Sequence, residues 1–228
     1  MSPDDFFGLK TWVVSAWWPE QSRMAETLAN GDVIKVLGDS FRRSGDLGFL
    51  TTGIGTPRAA LNLGATLAQA AAAGALPRMI CFVATAGAYN RQVPLESAHL
   101  VTSAGWSDGD LSKNASYLPK VERCEYLQSD LTNPSAGESG CLRALSTPGI
   151  TLDMQLAGEL AELADLENLE IFGVALAANR FAVPWIASLG VSNTVGSSAH
   201  EQWKAHHLEA SLAAQMLLVE NFPEAFAR

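Results

Sequence analysis

The sequence predicts an α/β layered fold in a single domain over residues 1–228. Apolar runs of strand length alternate with longer helical segments, and a glycine turn at 53–55 joins a strand to an alanine-rich helix. No internal repeat or break in composition divides the chain.

The elements follow in order. Thr11, Trp12, Val13 and Val14 open a short apolar run at 11–16 that reads as a largely buried strand, since it offers no polar face to water. After Pro19 the polar run 20–30 reads as a helix or loop leaving the sheet, which sets Glu20 just beyond a strand end. Residues 32–37 and 47–52 read as two further strands, with the polar stretch 38–46, carrying Arg42 and Arg43, as the connection of a hairpin. Pro57 suits the first turn of a helix over 58–73, where its missing N–H costs nothing, and Gly74 suits the exit.

Residues 79–84 predict a strongly apolar strand closed by Thr85, Ala86, Gly87 and Ala88, and 97–104 predict another after a connection containing Pro94. The stretch 105–139 is polar and turn-rich, a candidate lid or insertion with a strand at 121–127 and a loop at 132–140. A strand at 142–146 follows. Leu152, Leu156, Leu160 and Leu163 recur at helical spacing and predict one face packed on the sheet. Residues 170–179 predict a more buried helix and 185–190 a strand. Ser198 starts a long last helix, where Ser198 and Glu201 have capping-box spacing and Trp203 and Leu217 are candidate anchors.

At 228 residues, with 48% hydrophobic and 17% charged, the chain has material for one sizeable core, and one domain is the economical reading. Fifteen Lys and Arg against 24 Asp and Glu give a formal charge of −9 with no basic stripe, so nucleic acid is not an expected partner. Cys81, Cys124 and Cys141 are odd in number and lack CxxC spacing, which fits free thiols in a reducing cytoplasm. The N-terminus has no basic region followed by an apolar run, and no stretch reaches the roughly 20 apolar residues of a spanning helix, so neither export nor membrane insertion is expected.

Several constellations compete for the chemistry. Gly53 and Gly55 can bring backbone N–H groups to a ligand or simply make a tight turn. A dinucleotide fingerprint would need a third glycine where Arg58 stands. Gly105, Ser107 and Gly109 match the nucleophile-elbow spacing, with His200, His206 or His207 as a later base, but the polar run after them lacks the helical pattern an elbow requires. The three histidines lack the spacing of a zinc site, and no metal is expected. Glu20 follows the rigid, aromatic Trp17, Trp18 and Pro19, surroundings that can raise a carboxyl pKa toward neutrality and make it a base. Glu170 precedes an apolar helix, either as a first-turn acid or as a carboxylate facing a pocket. Ser192 and Asn193 follow an apolar strand, where α/β proteins gather ligand contacts or the chain simply turns.

In their order and spacing these segments resemble the nucleoside phosphorylase and nucleosidase superfamily, in particular its branch of methylthioadenosine/S-adenosylhomocysteine nucleosidases and futalosine hydrolases. The resemblance rests on Val14, Ser15 and Ala16 through Glu20, on Thr52 to Gly55 before Ala59 and Ala60, on Ala84 to Gly87, on Leu169 and Glu170, and on Val183 and Pro184 through Ser192 and Asn193. It implies a three-layer αβα sandwich around a mixed, twisted central sheet, a cytoplasmic homodimer, no cofactor, and a small nucleoside as the partner. It also implies roles: Glu20 activates water, Thr85 lies by the nucleoside with Ala86 and Gly87, and Glu170 beside Leu169 holds the ribose hydroxyls. Phosphorolytic members carry a glycine and a phosphate-binding arginine in the first loop. This chain has Pro19 and Glu20 there, Arg23 outside that spacing, and no arginine near Leu189, which favours hydrolysis.

N-glycosidic cleavage builds positive charge on the sugar and negative charge on the departing purine, and Glu20 with Glu170 answers the first demand. Trp17 and Trp106 are the candidate aromatic walls for the purine. Adenine-cleaving relatives use an aspartate where Asn193 stands. An amide is no general acid, but it donates and accepts at once, which suits a 6-oxopurine or futalosine-like nucleoside. The expected activity is hydrolysis of a purine nucleoside, with Glu20 and Asn193 as catalytic candidates. The alternatives are phosphorolysis, a noncatalytic nucleoside-binding relative and, more remotely, a serine hydrolase using Ser107.

Overall fold

The computed structural model describes residues 9–29, 35–36, 41–107, 127–129 and 142–226. In these, β1 (Thr11–Ser15) runs into α1 (Pro19–Ala29), followed by β2 (Lys35–Val36), β3 (Phe41–Ser44), β4 (Leu47–Thr51) and α2 (Thr56–Ala72). Next come β5 (Met79–Ala88), β6 (Ala98–Trp106), β7 (Leu127–Gln128), β8 (Leu142–Ser146), α3 (Met154–Ala161) and β9 (Leu166–Glu167). The chain closes with α4 (Ile171–Arg180), β10 (Trp185–Thr194), α5 (Ala199–Asn221) and α6 (Pro223–Phe226).

The strands form one mixed sheet between helices. The two-residue period of the strands splits the apolar side chains into two cores. Trp12, Val14, Ile80, Phe82, Trp185 and Ala187 join Leu63 and Leu67 of α2 and Ile171 and Val174 of α4. The alternate residues Val13, Cys81, Val83 and Ile186 join Met24 of α1, Ala214 and Leu218 of α5 and Phe226 of α6. The pairing is not that of a simple open layer. β5 pairs with β10, β10 with β6, β6 with β8, β8 with β9, and β9 returns to β5, so this half of the sheet closes into a ring. β1, β4, β3 and β2 extend it from the edge of β5 that faces away from β10.

β5 is the hinge of this arrangement. Along its first half one edge carries β1, whose register ends at Val14 opposite Phe82. Further on, the same edge carries β9, which pairs with Gly87 and Ala88. Between the two partners lies a gap at Thr85. Its backbone N–H and C=O point into that gap, and a buried strand edge must find partners for such groups from outside the sheet.

Several elements differ from expectation. The polar stretch expected to connect a hairpin is itself the strand β3, paired antiparallel with β4 around a tight turn at Gly45, whose φ is 57°. Arg42 and Arg43 are tolerated there because the strand lies near the sheet edge, and the Arg42 guanidinium covers the Trp18 ring at 3.7 Å. Of the expected strand at 32–37, only 35–36 lies in the described residues. β5 runs on through Thr85, Ala86 and Gly87 to Ala88 because β10 and β9 supply ladder partners, and β10 likewise extends to include Ser192 and Asn193.

The leucine stripe is half right. Leu160 is buried and Leu156 partly so, but Leu152 and Leu163 are exposed, since α3 begins only after Asp153, whose Oδ1 accepts the Leu156 N–H at 2.7 Å, and ends at Ala161, before Leu163. The Ser198 capping box is absent: Ser198 makes no side-chain cap, and Glu201 pairs with Lys204 at 3.0 Å instead. The expected loop at 132–140, the strand at 121–126, most of the candidate lid, and Cys124 and Cys141 lie outside the described residues. Cys81 is buried, and burial pushes its thiol pKa far up. Among the described residues, no helix is long and apolar enough to cross a membrane.

At Gly190 the long helix α5 touches the sheet so closely that an added Cβ would overlap the Ala210 carbonyl and its carbon. Neither backbone can yield. Gly190→Ala is therefore expected to destabilise the fold by about 3 kcal/mol or more, the upper end for overpacking. Thermal unfolding measures the loss, and an unchanged melting temperature would contradict this packing.

Candidate active site

The Thr85 gap opens onto a cavity of about 350 Å³. The gap is filled from two directions. Glu20, in the first turn of α1, places Oε1 where it accepts the Thr85 backbone N–H at 3.0 Å and the Thr85 hydroxyl at 3.2 Å. Asn168, just after β9, donates its Nδ2 to the Thr85 carbonyl at 3.0 Å. The other Glu20 oxygen accepts the Trp17 N–H at 3.3 Å, and the Glu20 carbonyl accepts the Ser211 hydroxyl at 3.1 Å, which ties α1 to α5. A strand edge left unpaired by both neighbours thus fixes a carboxylate at a defined place.

Glu170 stands at the N-terminus of α4 and faces the same cavity. Its Oε1 accepts the Gly55 N–H at 2.7 Å, so the glycine turn, with φ of 83° at Gly53 and 94° at Gly55, serves to aim a backbone donor at this carboxylate. Asn168 holds the helix start from the other side: its Oδ1 accepts the Glu170 N–H at 3.0 Å and the Ile171 N–H at 2.8 Å.

Both carboxyls are far from their ordinary state. Burial, then the charge of Glu170, raises Glu20 from 4.5 to about 7 against the opposing hydrogen bonds from Thr85 and Trp17. Burial also raises Glu170 to about 7, against bonds from Gly55 and Asn168. The two acids titrate around neutrality as an interacting pair.

The other side of the cavity belongs to β10 and its ring partners. Ser192 donates its hydroxyl within reach of Asn193 Oδ1 at 2.9 Å and of the Ala86 carbonyl at 3.3 Å. Gly87 pairs with Asn193 on one side and with Glu167 on the other, so these three residues lie abreast across the sheet. An added Cβ at Gly87 would crowd Asn193 Nδ2 at 2.7 Å, a close approach that only glycine allows. Glu167 is buried and accepts the Tyr89 hydroxyl at 3.1 Å and the Thr151 N–H at 3.0 Å. Trp17, Ile54 and Ile150 line the cavity while remaining 44%, 63% and 49% exposed, so its mouth is an apolar surface wetted in the absence of a ligand.

The structure therefore brings together Glu20, Thr85, Ala86, Gly87, Leu169, Glu170, Ser192, Asn193 and Trp17 on one cavity. Gly53 and Gly55 are not among the lining residues: Gly55 supports the cavity through its bond to Glu170, and the Gly53 N–H bonds the Ala16 carbonyl. Trp106, the last residue of β6, is not among the lining residues. Ser107 is buried after β6, with its N–H bonded to the Ser146 carbonyl, and the helix an elbow would need falls outside the described residues. Two of the histidines that could serve as its base are engaged elsewhere, His206 with Glu96 and His207 with the Trp203 carbonyl. His200 instead lines the cavity beside Trp203. Asn168, Glu167, Trp203 and Ile150 do not stand out as site residues in the sequence, and His200 stands out there only as a candidate base for Ser107. Asn168, two residues before a carboxylate at a helix start, is visible there as a capping residue type, and His200 with Trp203 as one face of a helix.

By sequence, no protein-family model and no curated protein matches the chain. By structure the likeness is extensive. Futalosine hydrolase of Helicobacter pylori superposes with a TM-score of 0.79 at 16% identity, covering 95% of this chain and 98% of that one. The 5'-methylthioadenosine/S-adenosylhomocysteine nucleosidase of H. pylori, complexed with a pyrrolidine-based ligand, gives 0.78 at 15% identity over 96% and 99%. The Neisseria meningitidis nucleosidase in complex with methylthio-immucillin-A gives 0.76 at 14% identity over 95% and 100%. Over nearly its whole length, the chain has the fold of these futalosine and methylthioadenosine/S-adenosylhomocysteine nucleosidases.

Proposed function

We propose that this protein is a purine nucleosidase that hydrolyses the N-glycosidic bond of a 6-oxopurine or futalosine-like nucleoside. The observation that carries this reading is the pair of carboxylates, the half-buried Glu20 and the buried Glu170, each raised to about 7 and facing one cavity whose far side is built from Ser192 and Asn193. An acid with a pKa near neutrality is ionised often enough to act and basic enough to take a proton from water.

In this mechanism Glu20 removes a proton from a water molecule as its oxygen bonds to the anomeric carbon. The carbon–nitrogen bond breaks, and the purine leaves with the electron pair and takes a proton from solvent. Glu170, one oxygen fixed by Gly55, holds the ribose diol with the other through charge-assisted bonds that strengthen as the sugar becomes cationic. Asn193 donates to the purine, and Glu167, abreast of it across Gly87, supplies an acceptor suited to the N1–H that a 6-oxopurine has and adenine lacks. Trp17 and Ile150 wall the base and sugar.

Incubation with inosine, futalosine, adenosine and methylthioadenosine, each with and without phosphate, is the direct assay. Free base and free sugar should form at the same rate in both conditions, faster from the 6-oxopurine nucleosides. A sugar 1-phosphate that appears only with phosphate would contradict hydrolysis. Asn193→Asp should move the ratio of rates toward 6-aminopurines, and an unchanged ratio would remove Asn193 from base recognition.

Glu20→Gln should lower kcat by roughly 10²–10⁴. It should also stabilise the protein in a pH-dependent way. A carboxyl at about 7 when folded and 4.5 when unfolded keeps a proton that the unfolded chain releases, so stability falls as pH rises through that window. Removing the group abolishes the loss: the variant should melt above the wild type at pH 8 and level with it near pH 4.5. A melting temperature lowered equally at both pH values would show that Glu20 is not held as a reluctant anion.

A further inference from the structure

We propose that Trp203 is a positioning residue for Glu20, acting through the Thr85 hydroxyl. The proposal rests on the reading of Glu20 as the base. Trp203 Nε1 lies 3.3 Å from Thr85 Oγ1, which in turn lies 3.2 Å from Glu20 Oε1. The direction of this chain is forced by its two ends. An indole N–H can only donate, and a carboxylate can only accept. The Thr85 hydroxyl, with one proton, must therefore accept from Trp203 and give its proton to Glu20. Indole donation also polarises that hydroxyl and strengthens what it offers the carboxylate. The arrangement favours the ionised base, opposing the burial that favours the neutral acid.

The indole is fixed so that its N–H points along this line. The His207 ring stacks on it at 4.4 Å and 20°, His200 lies parallel at 6.1 Å and 9°, and Trp17 approaches at 6.4 Å. His207 Nδ1 also meets the Trp203 carbonyl at 3.0 Å. The close seating of α5 on β10 at Gly190, which pairs with Thr85 in the sheet, brings this helix within reach of the threonine. The titratable groups around the chain are Glu20 in α1, Glu167 in β9, Glu170 at the start of α4, and His200 and His207 in α5, with the exposed Glu201 and Lys204 pair beyond.

Trp203→Phe keeps the aromatic wall and the stacking and removes only the donor. With inosine or futalosine as substrate, the acid limb of the pH profile of kcat/KM should move upward. The rate should drop about fivefold at pH 6, the worth of one ordinary hydrogen bond, and stay near the wild-type value at pH 8.5. The same substitution in a Thr85→Val background should add no further pH shift, because the link it acts through is gone. A loss that is equal at all pH values, or that persists undiminished in the Thr85→Val background, would make Trp203 a wall of the cavity and overturn the proposal. The Glu20→Gln variant separates the two levels. If it is inactive while Trp203→Phe leaves the acid limb in place, only this inference fails; if it turns over like the wild type, the base assignment and this inference fail together.

Discussion

The site depends on an interrupted strand edge. β5 changes partners along one side, from β1 to β9, and leaves Thr85 between them with a backbone donor and acceptor that no strand claims. Buried amide groups without partners are costly, so the fold must supply side chains to them. It supplies Glu20 to the N–H and Asn168 to the carbonyl. The same two residues then organise what surrounds them: Glu20 lies in the first turn of α1, and Asn168 caps the start of α4 and so sets Glu170. A local requirement of the sheet and the placement of both carboxylates are one structural fact.

Placing two acids in one cavity opposes stability above neutrality. Three donors hold Glu20, yet burial and the neighbouring carboxylate outweigh them. The fold retains this unfavourable pair, while Cys81, fully buried, is simply kept as a neutral thiol in the core. Charge held against desolvation at the mouth of an apolar-rimmed cavity is what a reaction that develops positive charge can use. The ring of β5, β10, β6, β8 and β9 adds rigidity on the opposite side, where Gly87 lets Asn193 and Glu167 lie abreast without a side chain between them.

Much of this is legible in the sequence, and what is not shares a cause. The strands β1, β4, β5, β6, β8 and β10 show as apolar runs, and Glu20, Thr85, Glu170 and Asn193 can be placed near strand ends or helix starts because those signals are local. The gap at Thr85 is not local. It depends on where β1 stops and β9, only two residues long, begins, and it joins residues 85 and 168, which no periodicity connects. Trp203 reads as a packing anchor in the sequence because a tryptophan on a helix is usually that; its N–H acquires a role only when Gly190 lets the helix sit on the sheet. The misread elements, the polar β3 and the extended ends of β5 and β10, are strands made by their neighbours' ladders, which override weak local preference.

The central claim is that the Thr85 edge holds Glu20 as a carboxyl titrating near neutrality under the influence of Glu170. Carbon-13 NMR of protein labelled at the glutamate carboxyls, with Glu20 assigned by loss of its signal in Glu20→Gln, follows that titration directly. The account predicts a midpoint near 7 that falls in Glu170→Gln, where the neighbouring charge is gone. A midpoint at the ordinary 4.5, indifferent to Glu170, would contradict it.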